Sequence, residues 1–231
     1  MWANDSTQPL EFWWNVQGEW VEPPNHRRGG DSGVQRVTLP DQQTYYVKRQ
    51  HNFNYRSLSH PIGVPTLLRE WRNLRLFAKL GVPTAQAVAF ESRRINGVWQ
   101  AMLVTRALDG YGSLHDGMQQ GLWDANTRAR VLTAVLDAIA PLHRSGRKHG
   151  HLYCKEVFVR TTGEQVDVAF LDLELCRRHI TPRKAAESDL RRLFRSLCDV
   201  GLSMQEFHDL LAHETKLGFK MSAAFIARCM A

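Results

Sequence analysis

The sequence has no apolar stretch approaching the roughly eighteen residues that a membrane-spanning helix needs. Its first residues, Met1 to Gln8, are polar and lack the basic-then-apolar pattern of a secretory leader. Cysteine is scarce, and Cys154, Cys176, Cys198 and Cys229 suit reduced thiols better than a disulfide framework. There is no internal repeat and no low-complexity linker. These absences exclude a membrane-spanning or disulfide-stapled protein and lead to the expectation of a cytoplasmic one.

What is present is an ordinary globular composition, 43% hydrophobic and 23% charged over 231 residues. That length is large for one simple domain and small for two independent ones. The formal charge of +7 favours an anionic partner: a nucleotide, a phosphorylated sugar, acidic lipid headgroups or nucleic acid. The basic residues cluster at Arg177, Arg178, Arg183, Lys184, Arg191, Arg192 and Arg195. No basic stripe interleaved with stacking aromatics and no recognition-helix signature accompanies them, which argues against nucleic acid.

The order of elements is informative. Glycine-rich residues 27–33 precede a strand pattern over 34–39, a polar turn at 40–43 and a second strand pattern over 44–50. Thr66, just after Pro65, reads as a helix N-cap, with an apolar stripe of Leu67, Trp71, Leu74, Phe77 and Leu80 before Gly81 and Pro83 end it. Residues 88–94 and 98–103 flank Asn96-Gly97, the strongest short hairpin signal. This half predicts a five-stranded antiparallel sheet with one helix, its fifth strand drawn from residues 12–21. The second half predicts a helix capped by Asp124 and shortened or kinked at Pro141, a hairpin over 157–171, and helices over 185–200 and 203–217. The break falls near 106–112, giving lobes of residues 1–107 and 108–231. Trp13, Trp14 and Trp20 suit either packing over the first lobe or contact with a membrane interface.

A sheet-plus-helix lobe followed by a helical lobe is the plan of a bilobal, α+β protein-kinase-like fold. On Arg27-Arg28-Gly29-Gly30, Tyr46-Val47-Lys48-Arg49, Leu68-Arg69-Glu70, His149-Gly150-His151-Leu152-Tyr153 and Leu171-Asp172-Leu173-Glu174, the chain resembles the lipopolysaccharide core kinases and the InaA family over nearly its whole length. The resemblance implies ATP and Mg²⁺ as cofactors. It places Lys48, paired with Glu70, at the nucleotide phosphates, and Asp172 on the metal. Gly29, Gly30 and Gly33 would let backbone amides approach the phosphates, although their spacing is not the protein-kinase G-x-G-x-x-G. Asp189 matches an aspartate that props up the catalytic loop.

The catalytic loop departs from that pattern. Where a kinase carries its catalytic Asp stands His151, and the second metal position is Glu156. A neutral imidazole can orient or deprotonate a hydroxyl. The alternative is a pseudokinase that binds nucleotide and serves as a stress-related binding or regulatory module. Only sixteen residues separate Asp172 from Asp189 and no Ala-Pro-Glu follows. That argues against a peptide substrate and suits a small or lipid-anchored sugar hydroxyl; the resemblance implies that of a lipopolysaccharide core or related anionic glycolipid, reached from the inner face of the membrane. A rival zinc site of His143, His149, His151 and Cys154 has no common zinc spacing.

Overall fold

The computed structural model describes residues 2–27, 29–57 and 60–230. Its contacts divide the chain into two compact units, Met1–Arg75 with Ala85–Asp109 and Leu76–Thr84 with Gly110–Ala231.

The first unit is built on β1 (Trp2–Asn4), α1 (Leu10–Asn15), β2 (Glu19–Arg27), β3 (Gly30–Thr38), β4 (Thr44–His51), β5 (Asn54–Ser57), β6 (His60–Pro65), α2 (Thr66–Leu80) as far as Arg75, β7 (Ala87–Ile95) and β8 (Val98–Arg106). Six strands form an antiparallel sheet in the order β1-β7-β8-β4-β3-β2, and β5 with β6 makes a separate hairpin. The sheet thus has one strand more than its sequence pattern suggests, and the unit has a second helix. Residues 10–15, rich in aromatics that favour strands, fold instead as α1, because tertiary packing overrides a weak local preference. Trp13 is fully buried against Val37, Tyr45, Val47, Met102 and Val104. The Arg49 guanidinium donates to the carbonyls of Trp13 (2.7 Å) and Val16 (2.6 Å), tying down the end of this short helix. Pro23 and Pro24 lie in β2, an edge strand, at a register irregularity between Glu22 and Asn25 where neither is paired with β3.

Register places side chains on opposite faces of this sheet. Val47 pairs with Val104 on the α1 side, while Lys48 pairs with Leu103 and Leu103 with Phe90 on the α2 side, where Phe90 stacks on Trp71 at 4.5 Å. The β7–β8 turn is Asn96-Gly97, with φ of 49° and 82°, the left-handed pair that a two-residue type I′ turn needs. Helix α2 begins at Thr66, yet Thr66 does not cap it. The Gln50 side chain does: its Oε1 accepts from the Leu67 amide (3.2 Å) and from the Thr66 hydroxyl (3.0 Å). Gly81, at φ 69°, ends the helix.

The second unit contains β9 (Gly112–Ser113), α3 (Leu114–Gln119), α4 (Ala125–Arg144), β10 (Arg147–Lys148), β11 (Val157–Thr162), β12 (Gln165–Phe170), β13 (Arg177–Arg178), α5 (Pro182–Cys198), α6 (Met204–Lys216) and α7 (Ala223–Met230). Strand β11 pairs with β12 and β9, and β10 pairs with β13. The Asp124 side chain caps α4 through the Thr127 amide at 2.7 Å. The apolar face of Val131, Leu132, Val135, Leu136, Ile139 and Leu142 is buried. Pro141 lies inside α4, which continues past it to Arg144. Among the described residues no helix is long and apolar enough to cross a membrane.

Glu214 on α6 is 1% exposed, and neither carboxylate oxygen has a hydrogen-bond partner among the described residues. Burial, reinforced by Asp137, lifts its pKa from 4.5 to about 8. The fold therefore favours the protonated form. This contribution is complete below pH 4.5 and is lost as pH rises towards 8, by up to about 5 kcal/mol. Glu214→Gln, which keeps the shape and removes the charge, should melt above wild type at pH 9 and close to it at pH 5. Parallel melting curves across that range would show that Glu214 does not ionise in the fold.

Candidate active site

Two clusters of candidate residues form, one in each unit. In the first, the β4–β8 register turns Lys48 towards α2, and the helical stripe of Leu67, Trp71 and Leu74 brings Glu70 to the same face. Lys48 Nζ donates to Glu70 Oε2 at 2.8 Å, with side chains 27% and 17% exposed. The pair is sheltered but open to a ligand.

Of the three candidate glycines, Gly29 (φ 74°) occupies the turn between β2 and β3. Gly30 lies where a Cβ would meet the Asn52 backbone at 2.5 Å, and Gly33 is covered by the Trp20 ring, 2.6 Å from such a Cβ. Each thus has a local structural use. Arg28 of this segment lies outside the described residues. Of the three N-terminal tryptophans, Trp13 is core, and Trp14 packs under the Arg93 guanidinium at 4.0 Å; Trp20 remains 53% exposed.

In the second unit, the loop after β10 is fixed by Asp189. Its carboxylate accepts from the backbone amides of His149 (2.6 Å) and Gly150 (2.9 Å) and contacts His143 Nε2 at 3.1 Å, all buried. Burial drives the His149 pKa down to about 4, so its imidazole is neutral at physiological pH. Gly150, at φ 89°, lies where a Cβ would stand 2.5 Å from the Leu175 carbonyl oxygen. Opposite this loop, β12 is pinned just before Asp172: the Phe170 amide donates to Pro83 O (3.1 Å) and the Thr84 hydroxyl donates to Phe170 O (2.8 Å).

Between these two anchored segments, His151, Glu156 and Asp172 each offer a ligand atom within 4.8 Å of the others. Asp172 adopts a left-handed backbone (φ 55°, ψ 58°), which aspartate tolerates better than most residues but at a cost. Its carboxylate meets His151 Nδ1. Burial, with the neighbouring Asp172, raises the Glu156 pKa above 4.5. Two partly buried carboxylates that repel one another, with an imidazole beside them, suit a divalent cation, which would neutralise that repulsion. Oxygen donors favour Mg²⁺, and the nitrogen widens the choice towards softer metals.

The rival zinc arrangement does not form. His143 is bound to Asp189, the Cys154 thiol donates to Ser196 O at 3.3 Å, and among the described residues the converging donors are His151, Glu156 and Asp172. Sequence reasoning singled out the cluster and Asp189 but missed Thr84, Leu175 and the β10–β13 pairing, none of which carries a motif.

A bilobal kinase scaffold is the class that this order of elements defines, and solved structures agree. The solved structure of WaaP in complex with acyl carrier protein superposes with TM-score 0.76 at 19% identity, covering 100% of this chain and 96% of that one. The MAP kinase LmaMPK10 of Leishmania major superposes with TM-score 0.51 at 13% identity, covering 94% and 70%. Within that class, the lipopolysaccharide kinase (Kdo/WaaP) family pattern matches residues 11–213, and the chain belongs to this family. It is 36% identical to Protein InaA of Escherichia coli (strain K12) over 191 residues, 81% of this chain and 88% of that protein. It is 24% identical over 184 residues to the lipopolysaccharide core heptose(I) kinase WaaP of Pseudomonas aeruginosa, covering 73% and 68%.

A ligand that binds only the folded state at a hundred times its Kd stabilises it by about 2.7 kcal/mol. Millimolar Mg²⁺ or Mn²⁺ should therefore raise the melting temperature measurably. Asp172→Asn and Glu156→Gln should abolish the rise, and Glu156→Gln should melt at or above wild type in chelator because the carboxylate repulsion is gone. A metal-dependent rise that persists in both variants would place the cation elsewhere.

Proposed function

We propose that this protein is an ATP-dependent phosphotransferase acting on a sugar hydroxyl of lipopolysaccharide core or a related anionic glycolipid. The observation that carries the reading is the convergence of His151, Glu156 and Asp172 on a strained, doubly anchored backbone. Family membership supports the class of reaction. A bound divalent metal, Mg²⁺ in this reading, would neutralise charge on the phosphates.

The chain's own residues have separable tasks. Lys48, held extended by Glu70, binds phosphate oxygens, and the β2–β3 turn at Gly29 and Gly30 offers backbone close to the nucleotide. One oxygen of Asp172 accepts the His151 Nδ1 proton, leaving His151 Nε2 to take the proton of the attacking hydroxyl and Asp172's second oxygen for metal. Glu156 is the second carboxylate ligand. Trp20, half exposed, is the part of the N-terminal segment suited to peripheral contact with a membrane surface.

One observation favours a second reading, a nucleotide-binding pseudokinase: the position of the kinase catalytic carboxylate is an imidazole engaged with Asp172. The two readings separate in one assay of ATP consumption with and without a lipopolysaccharide extract. For a working kinase, acceptor-dependent turnover is expected, Lys48→Ala should weaken ATP binding, and His151→Ala should cut the rate by roughly 10²-fold or more while sparing ATP affinity. Inert wild type with activity appearing only in His151→Asp would establish the pseudokinase. ATP-induced stabilisation unchanged in both Lys48→Ala and Asp172→Ala would sink both readings.

A further inference from the structure

The β10–β13 ribbon consists entirely of cations. Arg147 stands opposite Arg178 and Lys148 opposite Arg177, so each directly facing pair carries like charge, an arrangement that opposes strand pairing. Facing residues share a face of a ribbon, so Lys148 and Arg177 project to the same side. On α5, Ser188, Arg191 and Arg192 follow the i, i+3, i+4 spacing of a single helix face. Lys148 Nζ donates to Ser188 Oγ at 3.1 Å, and Arg192 donates to Ser188 O at 2.8 Å. The helix face therefore lies along the ribbon.

Lys148 is only 7% exposed, and the hydroxyl of Ser188 is its recorded acceptor. Asp189, the nearby acid, spends its carboxylate on the His149 and Gly150 amides and on His143. Among the described residues, Lys148, Arg177, Arg191 and Arg192 enter no ion pair. Burial first, then Arg177, Arg192 and Arg191, depress the Lys148 pKa, and His179 is depressed by burial, Lys148 and Lys184. Asp189 pulls the other way at both groups but does not prevail, so a buried ammonium among guanidiniums has one hydroxyl acceptor, no ion pair among the described residues and only a partial charge offset.

We infer that Lys148, Arg177, Arg191 and Arg192, with the Ser188 hydroxyl, form a binding site for a phosphate monoester. Planar guanidiniums supply paired donors to phosphate oxygens, and the ammonium supplies a point charge. Lys148 lies three residues before His151, so at most about 10 Å of chain separates the two Cα positions. A phosphate held there would belong to the same molecule as the attacking hydroxyl. That assignment to the acceptor rests on the kinase reading; the phosphate site itself does not.

The test uses the full chain without metal or nucleotide. Melting temperature and affinity are measured with inorganic phosphate and with glucose 6-phosphate, against glucose and sodium chloride at matched ionic strength. Both phosphates should stabilise wild type, and the two controls should not. Arg177→Gln and Lys148→Met should weaken phosphate binding at least tenfold. In phosphate-free, low-salt buffer the same variants should melt at or above wild type, because facing like charges have been removed, an effect that a merely structural lysine or arginine would not produce. Arg177 is exposed, so its variant decides the matter if Lys148→Met misfolds. Equal phosphate stabilisation in wild type and Arg177→Gln would overturn the site. Tenfold tighter binding of glucose 6-phosphate than of inorganic phosphate supports an acceptor-borne group, and equal affinity overturns that assignment in favour of free phosphate. Lys48→Ala should leave the phosphate response intact, so loss of this site and loss of the ATP reading show up in different variants.

Discussion

The carboxylate of Asp189 is the constraint on which the second unit's chemistry depends. An ionised group with no solvent exposure is costly unless its lone pairs are filled, and here two backbone amides and an imidazole fill them. Although burial opposes ionisation, these partners prevail and hold the Asp189 pKa below the ordinary value. In return Asp189 dictates the course of residues 149 and 150, and so fixes where His151 emerges. The same acid makes no ion pair with the cations of the neighbouring ribbon and offsets their charge at Lys148 only in part. One buried charge thus orders the loop and leaves the adjacent surface strongly positive.

The two clusters illustrate different ways of positioning a side chain. Lys48 is placed by sheet register: a shift of one residue would turn it towards Trp13 and bring Arg49 to α2. Asp172 is placed by strain, its left-handed backbone held between β12, pinned through Phe170, and the short helical turn that follows. Register is cheap, because the whole sheet enforces it. Strain persists only where the surroundings over-determine the backbone.

Much of the fold was legible because periodicity and turn chemistry agreed. Asn96-Gly97, Gly81 and Asp124 act at their own positions, through backbone conformation or a local cap. Lys48, Glu70, Glu156 and Asp172 stood out through the family resemblance that the order of motifs carries, and the structure brings Lys48 to Glu70 and His151, Glu156 and Asp172 together. What stayed hidden was tertiary. Residues 10–15 form a helix because Arg49, more than thirty residues away, ties its carbonyls. Thr66 starts α2 but borrows its cap from Gln50. Arg147 and Lys148 read as an unremarkable basic pair until β13 is laid beside them.

The contact between Gly150 and the Leu175 carbonyl has an evolutionary consequence. Any side chain at residue 150 would collide with backbone, so that position is closed to innovation. The next residue points a partly exposed side chain towards Asp172, with its ring set edge-on against Tyr153. The group at 151 can therefore be exchanged with less disturbance to the backbone that presents it than a change at 150 would cause.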